Sequence, residues 1–157
     1  CLLKKGQPVY GLVYDGSRHE LVEGGPSAGL RVIGTSFRPR EPQGSPGSRL
    51  LALHFPLPEG RSRQLAPILE STRVRSLGSA ALHLAYVALG RLDVVLDEQV
   101  RPWDIAGAVA LLEASGRSIH YLSDNPFPVR SFSRQGACVR YLAGSGELFQ
   151  QVQNLLG

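Results

Sequence analysis

The sequence predicts an α/β fold, with an antiparallel hairpin layer followed by a mostly parallel sheet flanked by helices. Three observations predict it. The second half alternates helix-like and strand-like segments, the pattern of a parallel sheet covered by helices. Residues 1–33 carry strand and turn signals only. A chain of 157 residues with 43% hydrophobic and 19% charged residues has enough apolar content for a packed core.

In chain order, Cys1-Leu2-Leu3 is apolar, Lys4 to Pro8 reads as a turn, and Val9 to Tyr14 is a β-rich run, so these residues form a hairpin. Asp15-Gly16 signals a turn, and His19 to Glu23 alternates polar and apolar residues as a half-buried strand does. Gly24-Gly25-Pro26-Ser27 breaks the chain, and Leu30 to Ile33 is a short strand. Residues 38–49, RPREPQGSPGSR, form a polar Pro/Gly/Ser loop. Leu50 to Phe55 reads as a buried strand, and residues 61–70 as a short helix weakened by Pro67. Ser79 caps a helix that runs to Gly90, with Leu82, Tyr86 and Leu89 on one face. A strand follows over Leu92 to Leu96, then a helix over 103–114 with Ile105, Val109 and Leu112 on one face. Ser118 to Leu122 and Cys138 to Leu142 are strands, and Glu147 to Leu156 is a closing helix.

Composition excludes several classes. Apolar runs fall far short of the ~20 residues a spanning helix needs, so no membrane association is expected. The first residues carry no charged-then-apolar leader, and the expected location is cytoplasmic. Cys1 and Cys138 are too few for a disulfide scaffold and lack zinc-site spacing. Residues 1–75 carry eleven Lys/Arg against six Asp/Glu, and residues 76–157 six against seven. The basic residues are scattered singly with few aromatics among them, so no nucleic-acid partner is expected. The chain has no Met and opens with Cys1 in a strand-like run, and further residues are expected upstream.

Asp93, Asp97, Glu98 and Asp104 crowd within twelve residues that are otherwise largely apolar. Asp104 opens a helix, where a carboxylate either caps the first turn or offers a hard oxygen donor to Mg²⁺. Asp93 and Asp97, at i and i+4 on one strand, would point the same way, with Asp97 near the strand's C-terminal end, where parallel sheets carry their sites. Ser79 at a helix start is either an ordinary cap or a place where free N–H groups meet an anion or a sugar hydroxyl. Together these features suggest a pocket and name no reaction.

The string GSAALHLAYVALGRLD, a short acidic spacer and then RPWDIAGAVALLEASG resemble the second signature of the inositol monophosphatase family, built around Trp-Asp-x-Ala-Ala-Gly and Glu-Ala-Gly-Gly. LKKGQPVYGLVYDGSRHELVEGG resembles the hairpin between the family's two signatures, Phe55-Pro56 the segment after it, and AGSGELFQQVQNLLG the closing helix. The resemblance covers essentially the whole chain. It implies a layered α/β sandwich, with residues 1–37 ending the first, antiparallel sheet layer, 38–49 a loop and 50–157 the C-terminal α/β layer. It implies a Mg²⁺-dependent phosphomonoesterase acting on inositol monophosphate or a similar small phosphorylated polyol, and a homodimer. Asp104 matches a magnesium ligand, Asp97 an acidic residue that contacts substrate hydroxyls, and Gly78, Ser79 and Ala80 the loop and helix start on the inositol side.

Departures accompany the match. Ala106-Gly107-Ala108 replaces Ala-Ala-Gly, Glu113-Ala114-Ser115-Gly116 replaces Glu-Ala-Gly-Gly, and Asp97 stands where many relatives have Glu. His83 lies where the family often has Asp or Asn, and reads as a surface residue. Tyr86 and Trp103 read as packing residues. The first signature, Asp-Pro-Ile/Leu-Asp-Gly-Thr, and an earlier Glu-Glu pair do not occur; Tyr14-Asp15-Gly16-Ser17 only echoes the former from a hairpin turn. In the family these motifs lie upstream and supply most metal ligands. No catalytic residue is therefore expected in this chain, and the isolated chain is expected to be inactive. The alternatives are a non-catalytic interaction or regulatory member of the fold, or a nucleotide 3′-phosphatase or fructose-bisphosphatase of the same superfamily.

Overall fold

The computed structural model describes residues 1–33, 35–39, 47–131 and 138–157. Of the loop expected over 38–49, residues 40–46 lie outside the described residues. The first sheet is β1 (Leu2–Lys4), β2 (Gln7–Asp15), β3 (Glu20–Gly25), β4 (Gly29–Val32) and β5 (Thr35–Phe37), a five-stranded antiparallel meander in chain order. Lys5 and Gly6, both at positive φ (52° and 80°), make the tight turn of the expected hairpin. β3 runs through Gly24 and Gly25 instead of stopping at them. A Cβ on Gly24 would meet the Gly29 carbonyl oxygen at 2.2 Å, so the glycines serve close strand approach rather than a break.

The second sheet contains β6 (Leu50–Leu53), β7 (Arg73–Arg75), β8 (Val94–Val100), β9 (Ser118–Tyr121) and β10 (Val139–Gly144) in the order β7-β6-β8-β10-β9. β6 pairs parallel with β7 and β8, whereas β10 pairs antiparallel with both β8 and β9. Four strands therefore share one direction, and β10 alone is inserted against them. β5 and β7 are too short and too polar to show in the sequence pattern.

The helices are α1 (Arg61–Leu69), α2 (Ala80–Ala88), α3 (Pro102–Ala114) and α4 (Gly146–Leu156). α2 and α3 lie between the two sheets. They share one core with Val13 and Val22 of the first sheet and Val95, Tyr141 and Ala143 of the second. On the far face of the second sheet, α1 and α4 pack Leu65, Ile68, Leu148 and Val152 against Leu51, Leu53, Val94, Leu96 and Leu142. The pleat explains the division: odd positions of β8 and β10 face α2 and α3, and Val94, Leu96 and Leu142 face α1 and α4, while Val100, past a register shift in the β8–β10 pairing, joins the first group. Because α2 and α3 are covered on two sides, they are buried well beyond the single faces expected. Leu84, Ala85, Val87 and Ala88 are inaccessible, whereas Leu82 and Tyr86 are only partly buried.

α2 ends as its sequence anticipates. The Gly90 and Arg91 amides donate to the Val87 and Tyr86 carbonyls at 2.9 and 2.8 Å, and Gly90 has φ 69°. Among the described residues no helix is long and apolar enough to cross a membrane.

Candidate functional site

α2 follows β7 and α3 follows β8, so both helices start at the same edge of the second sheet, beyond the C-terminal ends of its parallel strands. Gly78 and Ser79 sit there. Gly78 has φ 68°, which favours glycine, and the Ser79 hydroxyl accepts from the Leu82 amide at 3.4 Å as the cap of α2. Ala80 is the first residue of that helix. Asp104 lies in the first turn of α3 behind Pro102, exposed, with its Oδ2 accepting from the Arg101 amide at 3.1 Å. The position is favourable for a carboxylate because unpaired amides and the helix dipole meet it there.

The acidic run does not converge. Its members are separated by the pleat and by their partners. The Asp93 carboxylate accepts from the Leu50 amide at 2.7 Å, where it ties β6 to the entry of β8. Glu98 faces α1 and receives both Nε and an Nη of Arg61, at 2.9 and 2.5 Å. Asp97 faces α2 and is fully buried. β8 extends to Val100, four residues beyond the expected end, so Asp97 is mid-strand rather than at the sheet's edge. The contact with substrate hydroxyls implied for Asp97 is not what its surroundings provide. It accepts from the Tyr141 hydroxyl at 2.7 Å and lies 3.2 Å from His83 Nδ1 through either oxygen.

His83, read as a surface residue, is also fully buried. The signal was present: it is the only polar side chain in Ala80–Ala88 apart from the Tyr86 hydroxyl, and a helix apolar all round is a buried helix. Tyr141 had no such signal, because one Tyr in a strand is ordinary packing. Burial pushes its hydroxyl far above the usual tyrosine value, the Asp97 charge and hydrogen bond add to this, and the charges of Tyr121 and Asp104 contribute further.

Tyr86 packs against the core as expected, whereas Trp103 does not. Trp103 is 45% exposed. Tyr86 donates its hydroxyl to Asp15 and lies beneath Arg91, whose guanidinium carbon is 5.2 Å from the ring centroid. Asp15, in the turn that echoes the missing signature, is turned inward. Bonds from Ser17, then from Tyr86, hold its carboxyl down at about 2. An open cleft at the same edge is lined by Arg61, His120, Asp124 and Arg140, and includes none of Ser79, Asp97 or Asp104.

As a metal site the residues are incomplete. Asp104 is a hard oxygen donor of the kind Mg²⁺ takes, but no group of three His, Cys, Asp or Glu among the described residues could hold an ion.

Residues 1–154 match the inositol monophosphatase family. The chain belongs to that family. Over 117 residues it is 37% identical to a fructose-1,6-bisphosphatase/inositol-1-monophosphatase of Thermococcus kodakarensis, an alignment covering 73% of this chain and 43% of that protein. It is 33% identical over 121 residues to the Nus factor SuhB of Salmonella typhimurium, covering 71% of this chain and 44% of the relative. The inositol monophosphatase of Anabaena superposes with a TM-score of 0.77 at 28% identity, over 98% of this chain and 63% of that one. The chain thus spans about half the length of the curated relatives it matches. The inositol-monophosphatase-like α/β sandwich expected from the motifs is the fold observed.

Proposed function

We propose that this chain forms the substrate-side wall of a Mg²⁺-dependent phosphomonoesterase acting on inositol monophosphate or a similar small phosphorylated polyol. The observation that carries the reading is the exposed Asp104 carboxylate, in the first turn of a helix that starts at the same sheet edge as the Gly78-Ser79-Ala80 turn. Asp104 would be one magnesium ligand, and Gly78, Ser79 and Ala80 would meet the polyol. Bound magnesium would supply an activated water and neutralise charge on the phosphate ester. This chain's own part is to hold one carboxylate and one helix start beside the ester, excluding bulk water with the sheet edge. A lone carboxylate rarely captures Mg²⁺, so the 157-residue chain by itself is inactive in this proposal. The partner is a small phosphorylated substrate rather than nucleic acid or membrane, and the protein is a cytoplasmic homodimer.

The test is phosphate release from inositol monophosphate, fructose 1,6-bisphosphate and 3′-phosphoadenosine 5′-phosphate, with and without Mg²⁺. It compares the isolated chain with a longer protein that includes the sequence encoded before Cys1. Expected are no release by the isolated chain, metal-dependent release by the longer protein, and weakening of apparent Mg²⁺ affinity by at least about tenfold in Asp104→Asn. Release by the isolated chain would overturn the inactive-wall reading, and absence of release by the longer protein the phosphatase reading. The second reading, a non-catalytic interaction module, is favoured by the similarity to a relative named as a Nus factor. A gene that encodes no Glu-Glu pair and no Asp-x-x-Asp-Gly-Thr before Cys1 would select it.

A further inference from the structure

His83, Asp97 and Tyr141 come from three different elements, α2, β8 and β10, and all three side chains are inaccessible to solvent. With the Leu77 amide and the Tyr141 hydroxyl as donors, their hydrogen bonds take one arrangement of protons. The Leu77 main-chain N–H donates to His83 Nε2 at 3.0 Å. A ring nitrogen that accepts carries no proton, so the imidazole is neutral with its proton on Nδ1. Nδ1–H then donates to Asp97, from which it lies 3.2 Å to either oxygen. The Tyr141 hydroxyl donates to Oδ2 at 2.7 Å. A proton on Asp97 could be given to neither Nδ1, which would move the ring proton to the nitrogen that accepts from Leu77, nor the Tyr141 oxygen without reversing the Tyr141 bond. With Tyr141 and His83 both donating, Asp97 is a carboxylate satisfied by two internal donors.

A buried charge is costly and persists where its donors are held in place. Here the last donor in the series is not a core group. Leu77 lies in the segment between β7 and α2, directly before Gly78, and is 39% exposed. Among the described residues, the imidazole and this amide carry the network from the core to the sheet edge. The amide's position sets where Gly78 turns and where Ser79 caps α2.

We propose that Tyr141, Asp97 and His83 form a buried relay that positions the Leu77–Ala80 turn, so that Asp97 acts on substrate through this turn as a positioning residue and makes no contact of its own. The relay stands on hydrogen-bond geometry, whereas its consequence for substrate rests on the reading of Gly78–Ala80 as the polyol side of the site.

Two substitutions at one position separate the relay from mere core filling. In His83→Asn the side-chain amide still reaches Asp97 from the Nδ1 position but offers nothing to Leu77. In His83→Gln the amide oxygen occupies the Nε2 position and still accepts from Leu77. The expected results are as follows. The ¹⁵N spectrum of the wild-type ring shows a neutral imidazole protonated on Nδ1. The Leu77 amide exchanges with solvent at least about tenfold faster in His83→Asn than in wild type, and His83→Gln restores its protection in part, while β8 amides are unchanged in both. In the longer protein, KM for the phosphate ester rises several-fold in His83→Asn with kcat within about twofold, and His83→Gln, which holds Leu77 but not Asp97, restores KM only in part; full restoration would remove Asp97 from the relay. An Nε2-protonated or doubly protonated ring, or equal Leu77 exchange in the two variants, would overturn the relay. An intact tautomer and exchange pattern with KM unmoved by His83→Asn would overturn its link to substrate. If no tested ester is hydrolysed by the longer protein, the phosphatase reading fails, and the ring spectrum and amide exchange still decide the relay.

Discussion

At the scale of single residues, the polar groups that matter are mostly held inward. Asp15 is tied to Ser17 and Tyr86, and Glu20 to Arg91 by two bonds of 2.5 and 3.0 Å. The Ser17 bond first for Asp15, and the Arg91 bond first for Glu20, bring both carboxyls down to about 2. A carboxyl depressed in the folded state binds protons more readily when unfolded. Its stabilisation is therefore full above the ordinary carboxylate range and is lost as pH falls toward 2. Urea unfolding between pH 5 and pH 2 should show stability falling across that window. Asp15→Asn and Glu20→Gln should each flatten the fall, and an unchanged slope in both would remove these residues as its source. Both pairs join the first sheet to α2 or its C-terminal turn, so acid should loosen that seam first. Asp104 is the opposite kind of residue, exposed and, among the described residues, hydrogen-bonded to its own helix start. Its sequence context, Pro-Trp-Asp before an apolar run, disclosed the helix start, and the structure adds that this start shares an edge with Ser79.

At the scale of elements, α2 carries both ends of the argument. Its first residues form the candidate substrate wall, its middle holds His83, and its last turn closes on Gly90. Both caps were legible because capping is local chemistry, a hydroxyl for an amide and a glycine for positive φ. Gly90→Ala should destabilise the protein by about 1 kcal/mol, since Cβ is penalised at φ 69°. Ser79→Ala should cost no more than that, because its cap bond is long at 3.4 Å. Thermal unfolding of the two variants checks both magnitudes, and a neutral Gly90→Ala would show that the turn relaxes freely. The strands were less legible than the helices. β5 and β7 have three residues each, too few for an alternation to stand out, and neighbouring strands offer them hydrogen-bond partners. β8 outruns its apolar run through Asp97, Glu98 and Gln99, since each buried acid there finds a partner on another element.

At the scale of the whole molecule, the two sheets are held apart by one helical layer, and contact across it depends on glycine. A Cβ on Gly11 of β2 would lie 1.9 Å from the Gly107 carbonyl oxygen of α3. A Cβ on Gly107 would instead meet its nearest atoms at 3.6 Å or more, an ordinary contact. Gly11→Ala should therefore destabilise by at least about 3 kcal/mol, because the first sheet must lift off α3. Gly107→Ala should be neutral or stabilising by up to about 1 kcal/mol, from helix propensity. Equal effects in chemical unfolding would refute this account of the interface. The same asymmetry explains how Gly107 can stand where the family motif has Ala: close approach is secured from the strand side.

The sequence by itself determined the α/β class, most element positions, the helix caps, the membership of a family through its Trp-Asp region, and the places of Ser79 and Asp104 at two helix starts. These are local or short-range properties, written in periodicity, capping chemistry and motif spacing. Only the tertiary structure decided that β10 enters against the other strands, that His83 is interior, and that Asp97 turns toward Tyr141 and His83 rather than outward. A carboxylate's role is set by which groups meet its face of the strand. For Asp97 those groups arrive from residues 14 positions before it and 44 after it, a separation that no local pattern records.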